Sequence, residues 1–126
     1  ETLTDEWQKR GVKEQKEYAI LTAEISKAAF DMTPSEYKKF KGLKRENLRD
    51  HMDHLELIFS MLGEKVTTEI SKQEKPTGIP ENKKVATRGG KVAGNARKET
   101  EKELGKSVIS RDNHLKLLDD QEESGE

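Results

Sequence analysis

The stretch Val85-Ala86-Thr87-Arg88-Gly89-Gly90-Lys91-Val92-Ala93-Gly94-Asn95-Ala96-Arg97 decides the fold of this chain. It sets Gly89, Gly90 and Gly94 among small apolar and basic residues, and it holds no acid. The sequence on either side reads as helix. A glycine inside a helix costs about 1 kcal/mol relative to alanine. A helix that keeps several needs something close to its backbone: a neighbouring helix, a bend or a phosphate. A phosphate-binding loop is excluded, because Gly89-Gly90-Lys91 lacks the Walker spacing and no apolar strand precedes it.

What remains is a two-faced helix. Lys84, Arg88 and Lys91 share one face, while Val85, Gly89, Val92 and Ala96 share another. The ordinary reading of the first face is a solvated basic surface. The sharper reading is a track for phosphates, with affinity from released counterions. The second face admits another backbone; Gly90-xxx-Gly94 is a close-packing spacing in membrane helices and a weaker sign in water. Gly89 is therefore expected to be buried against the longest helix, with Arg88 and Lys91 outward.

Working outward, helical periods dominate and no alternating apolar run reads as a strand. Thr4 opens a short helix carrying Trp7 as far as Arg10, interrupted at Gly11. A second helix runs from about Lys13 to Phe30 on the stripe Tyr18, Leu21, Ile25 and Ala28 or Ala29. Thr33-Pro34-Ser35-Glu36 is a strong start signal: threonine caps, proline takes the first position and glutamate bonds back. Tyr37 and Phe40 face inward on that short helix, which Gly42 ends. The longest helix is predicted from near Arg45 to near Gly63. Leu48, Met52, Leu55, Phe59, Leu62 and Val66 recur there at spacings of four and three, with Leu57, Ile58 and Met61 widening the stripe. That serves a core face or, alternatively, a dimer. Thr67-Thr68 caps a further short helix through Ile70. Lys75-Pro76-Thr77-Gly78 breaks it, and Pro80 opens the glycine-bearing helix, which stops at Gly105.

The expected architecture is all-α, an irregular bundle of about five to six helices. It divides into a helical domain over residues 1–110 and a frayed acidic tail over 111–126. Leu, Ile, Val and Phe make up about a fifth of the chain, so the core is thin. The formal net charge of −1 lets cations and acids pair instead of repelling. With no cysteine, disulfides, thiol nucleophiles and cysteine-ligated zinc are impossible, which suits a reducing, cytoplasmic setting. No run is long and apolar enough to span a membrane. Glu1 in place of a methionine reads as a piece of a longer protein.

Few constellations carry chemistry. Lys83, Lys84, Arg88, Lys91, Arg97 and Lys98 lie in a span from 83 to 98 without any acid, making them the candidate contacts to nucleic acid or an acidic partner. Lys38, Lys39, Lys41, Lys44, Arg45 and Arg49 form a second basic run; Tyr37 and Phe40 within it suit base stacking or, more ordinarily, a core. His51 and His54, three apart on a helix with Asp50 beside them, fall short of a metal site because no third ligand follows at a usable spacing. No nucleophile elbow or ordered triad is present. A general-acid pair needs a pocket, which a thin core hardly offers. No cofactor, small-molecule substrate or catalysis is expected.

Taken in order, Glu6-Trp7-Gln8-Lys9-Arg10-Gly11-Val12-Lys13-Glu14, Tyr18-Ala19-Ile20-Leu21-Thr22, Gly42-Leu43-Lys44, Asn47-Leu48-Arg49-Asp50-His51-Met52, Leu55-Glu56-Leu57 and the block from Arg88 to Arg97 form a distinctive set. Over roughly residues 4 to 109 the chain resembles the C-terminal half of DNA-damage-inducible protein D and related prophage antirepressor proteins. That resemblance implies a regulatory, non-catalytic role in the bacterial SOS response. The partner it implies is DNA or a recombinase–DNA filament. It also implies a further N-terminal domain of the phage antirepressor type and transfers no active-site residue. The alternative expectation is a module that makes the protein a homodimer.

Overall fold

Helix starts are written locally in this chain. Thr2 and Thr33 each accept a hydrogen bond from the backbone three residues on, at 3.1 and 3.2 Å, while Asp5 and Glu36 bond back to the cap. Glu17 receives the N–H groups of Lys13 and Glu14, and Glu56 receives that of Asp53. Each arrangement occupies donors that a helix start leaves open. The structure, a computed structural model, describes residues 2–113. Among them are α1 (Leu3–Lys9), α2 (Gln15–Phe30), α3 (Pro34–Phe40), a 3-10 turn (Leu48–His51), α4 (His54–Glu74) and α5 (Gly78–Leu104). The described residues contain no strand, and the fold is an all-α bundle. Among the described residues no helix is long and apolar enough to cross a membrane.

Several boundaries differ from expectation. α1 starts one residue before Thr4, because Thr2 rather than Thr4 caps it. The predicted helix from Arg45 to Gly63 is two elements. Met52 and Asp53 are extended, and the bond from Asp53 to Glu56 starts α4 afresh. α4 then runs through Gly63 to Glu74. Thr67 and Thr68 cap nothing: their hydroxyls donate to the carbonyls of Gly63 and Glu64, at 2.7 and 2.8 Å, inside a continuous helix. α5 begins at Gly78, ahead of Pro80, and ends at Gly105 in the left-handed region.

α5 is the spine. It packs along α2 on one side and α4 on the other. A Cβ on Gly90 would lie 2.6 Å from the Ile25 carbonyl oxygen, and one on Gly94 would strike the Ala28 carbonyl. On the other flank a Cβ on Gly89 would lie 2.7 Å from the Thr67 nitrogen. Gly63 of α4 faces the same seam, its missing Cβ 3.6 Å from the Gly90 Cα. Small residues thus let three backbones approach at once, and that closeness offsets the propensity cost of glycine. Val92, grouped with the packing face from the sequence, is 46% exposed; the buried stripe is Ala86, Gly89, Gly90, Ala93 and Gly94.

Two apolar clusters flank the seam. Phe30, Tyr37, Met52, Phe59 and Val108 gather at one end, and Trp7, Val12, Leu21 and Ile25 at the other. α4 turns a polar stripe inward instead: Glu56, Thr67 and Ser71 are fully buried. Ser71 donates to buried Glu6 at 3.1 Å, and Arg10 donates to the same carboxylate at 2.8 Å.

After α5 the chain folds back. The Lys41 ammonium, fully buried, donates to Glu56 at 3.0 Å and to the carbonyls of Ser110 and Asp112 at 2.8 and 2.9 Å. Asn113 donates to the Lys41 carbonyl, and Arg111 lies 4.6 Å from the centre of the Phe40 ring. Arg111 to Asn113 therefore lie against Phe40 and Lys41, past the boundary expected at 110. The rest of the expected acidic tail lies outside the described residues.

Candidate nucleic-acid interface

The 27 residues of α5 make a rod about 40 Å long. Its inner faces are consumed by α2 and α4, so the rest must face solvent. Lys84, Arg88, Lys91, Asn95 and Lys98 are all exposed and recur every three or four residues. They form one stripe from residue 84 to residue 98, a rise of about 21 Å. Lys84, Lys91 and Lys98 make no ion pair among the described residues. Arg88 is half-exposed and donates to Glu74 at 2.7 Å. That hydrogen bond holds the Glu74 carboxyl below its usual range and raises the guanidinium. Lys83 sits off the stripe, 3.8 Å from Glu24, which also accepts from Thr87.

Arg97 departs from the expectation of an exposed contact: its side chain is 5% exposed and its charge is spent inside the fold. It donates to the Ala29 carbonyl at 2.7 Å, to Asp31 at 3.0 Å and to both Glu101 oxygens at 2.9 and 3.0 Å. It closes the C-terminus of α2, where Asp31 adopts φ 61. Helical spacing alone hints at this, since Arg97 continues the buried 86–90–94 row rather than the 84–91–98 row.

The second basic run does not make a stacking platform. Tyr37 is fully buried and donates to Glu56; burial and that carboxylate push its phenol far above the usual value. Phe40 is half-buried beneath Arg111, and Lys41 is internal. His51 and His54 do not share a helix face: the first is buried in the 3-10 turn, and the second opens α4 beyond the break at Met52. No cluster of three metal-ligating side chains exists among the described residues.

The sequence argued against a pocket, but the fold contains one. A cleft of about 600 Å³ opens between α1 on one side and α3 with the 3-10 turn on the other, over a floor of α2 and α4. Its ionisable residues are Lys38, Arg49 and Glu64, and the last two pair at 3.1 Å. That set holds no pair of carboxyls for acid–base work. Helical periodicity could not disclose the cleft, because it arises where short elements fail to meet. No family model, curated protein or solved structure matches the chain.

Proposed function

We propose that this chain is a non-enzymatic regulatory domain that grips the phosphate backbone of DNA, bare or within a recombinase–DNA filament, through the outer stripe of α5. The carrying observation is the row of Lys84, Arg88, Lys91 and Lys98, three of them without an ion pair among the described residues. A rise of about 21 Å faces about six base-pair steps of 3.4 Å. Lysines contact phosphates as point charges and read no base edge, so binding is largely independent of sequence. The resemblance to DNA-damage-inducible protein D supports the same reading and adds a cytoplasmic setting in the SOS response.

Fluorescence anisotropy with labelled single- and double-stranded DNA at a series of salt concentrations tests it. Four stripe cations set an upper slope of log affinity against log salt of about −3.6 on duplex and about −2.8 on single strands. K84E/K91E should lower the slope by about two and leave the helical circular dichroism unchanged. No binding at low salt, or a double variant that behaves as wild type, removes the proposal.

A second reading has an observation of its own. Leu55, Ile58 and Met61 on the outer face of α4 are 36%, 54% and 57% exposed. This is the surplus of the apolar stripe read from the sequence, left over after Met52 and Phe59 enter the core. It favours a homodimerising module.

A further inference from the structure

We infer that the acidic run Asp119-Asp120-Gln121-Glu122-Glu123 is an internal competitor for the α5 stripe: without DNA it contacts Lys91 and Lys98, and DNA binds by displacing it. The competition rests on the reading of that stripe as the DNA contact; the contact within the chain does not.

Charge is divided along this chain. Residues 114–126 hold one lysine and five acids, so the formal net charge of −1 separates into −4 for that stretch and +3 for residues 1–113. No other window of five residues holds four acids. In the positive part, the span from 83 to 98 holds no acid, and Lys91 and Lys98 make no ion pair among the described residues. Two acids bordering the stripe are engaged elsewhere: Glu74 by Arg88, and Glu101 by Arg97 and the Val108 N–H. The two lysines are therefore left for an anionic occupant, and the chain carries one.

The fold sets that run within reach. The Val108 N–H donates to Glu101 at 3.0 Å, one turn past Lys98. The chain then crosses to Lys41, whose buried ammonium holds the carbonyls of Ser110 and Asp112, and Asn113 is tied to the Lys41 carbonyl. Five residues separate Val108 from Asn113, so this anchor lies at most about 18 Å from the end of α5. The ten residues from Asn113 to Glu123 span up to about 35 Å. Lys98 and Lys91 lie about 5 and 15 Å along α5 from Glu101, within that reach, while Lys84, about 26 Å along, is at its limit. One exposed ion pair is weak. Four acids on a short tether act at an effective concentration on the order of millimolar, which makes weak pairs count. Carboxylates and phosphates answer the same ammonium groups, so the two occupants exclude each other.

The chain has no cysteine, so Gln121→Cys in the full chain gives a single site for a nitroxide label. At about 50 mM salt the label should broaden the amide signals of residues 91–98 more than those of residues 79–84, and about 500 mM salt should restore them. D119N/D120N/E122Q/E123Q in the same labelled chain should remove the broadening. Unbroadened α5 amides at low salt, or equal broadening in the neutralised chain, overturns the inference whether or not DNA binds. Equal broadening when labelled chains are mixed with unlabelled, isotope-enriched ones overturns it in favour of a second copy. With duplex DNA, the neutralised chain without the label should bind about tenfold more tightly than wild type at about 50 mM salt. It should also show the steeper salt slope, because salt weakens the competing contact as well as the DNA contact in the wild type. Equal affinities overturn the competition. No binding by either chain overturns both the α5 reading and the competition that rests on it, while the broadening by itself still establishes the contact.

Discussion

Gly90 and Lys41 show how single side chains, or their absence, govern this molecule. A methyl group at Gly90 would meet the Ile25 carbonyl oxygen at 2.6 Å and the Ala28 Cβ at 2.8 Å. Alanine gains about 1 kcal/mol of helix propensity there. Overpacking against a backbone oxygen costs about 1–3 kcal/mol or more. The clash should win, so Gly90→Ala should lower stability in urea denaturation, whereas Asn95→Ala on the exposed face should change it by less than about 0.5 kcal/mol. A stabilised G90A would refute the close approach. Lys41 carries the opposite lesson, since removing it strands the Glu56 carboxylate in the interior. K41M should cost about 3–5 kcal/mol, and K41M/E56Q should cost less than the sum of the two single changes. A K41M loss under about 1 kcal/mol would mean that Glu56 does not depend on its cation. The sequence showed that glycine tolerance needed a close neighbour. It did not show Lys41 or Arg97 as internal, because a cation's burial depends on distant carbonyls and carboxylates, here Ser110, Asp112, Ala29 and Asp31.

At the scale of elements, one capping box was legible in full and helix continuity was not. Thr33-Pro34-Ser35-Glu36 appears as read, since all its partners lie within four residues. α4 defeated the reading at both ends, because apolar spacing passes through the break at Met52 and threonines look like caps wherever they stand. The same capping carboxylates set an acid limit. Glu17, Glu36 and Glu81 lie below the ordinary carboxylate range, chiefly through backbone N–H groups of Glu14, Thr33 and Thr77. A lowered folded value means that the unfolded chain binds protons first as pH falls. Their contribution is therefore complete above the unfolded value, about 4.3, and is lost as pH falls through the folded values. Thermal melts should be flat from pH 7 to about 5 and should fall below about 4.3. E36Q/E81Q should shallow that fall. An unchanged acid profile in the double variant would deny these boxes their role.

For the whole molecule, the division of surfaces carries the functional reading. One face of α5 is basic, the first half of the outer face of α4 is apolar, and the cleft opens between α1 and α3. If Leu55, Ile58 and Met61 seat a second copy, light scattering at about 100 μM should give a dimer, and I58D should return it to monomer. A strict monomer for the wild-type chain removes that reading while leaving the α5 stripe untouched. Lys84, Arg88 and Lys91 were legible as a basic face from spacing alone, because exposure follows when the other faces are small and apolar; the structure adds Lys98 to that row and takes Lys83 off it. Arg97 lay one row away, on the buried side of the helix, where the Ala29 carbonyl, Asp31 and Glu101 take up its charge.

The sequence by itself determined an all-helical chain, the Thr33 cap that starts α3 and the two-faced character of α5. Those properties depend on neighbours within a turn or two, where period and propensity act. The tertiary structure alone decided that three backbones meet at Gly63, Gly89, Gly90 and Gly94, that Lys41 and Arg97 turn inward, and that α1 and α3 leave a cleft open between them. Each of these rests on contacts between residues far apart in the chain, and the free energy of such contacts exists only once the helices have packed.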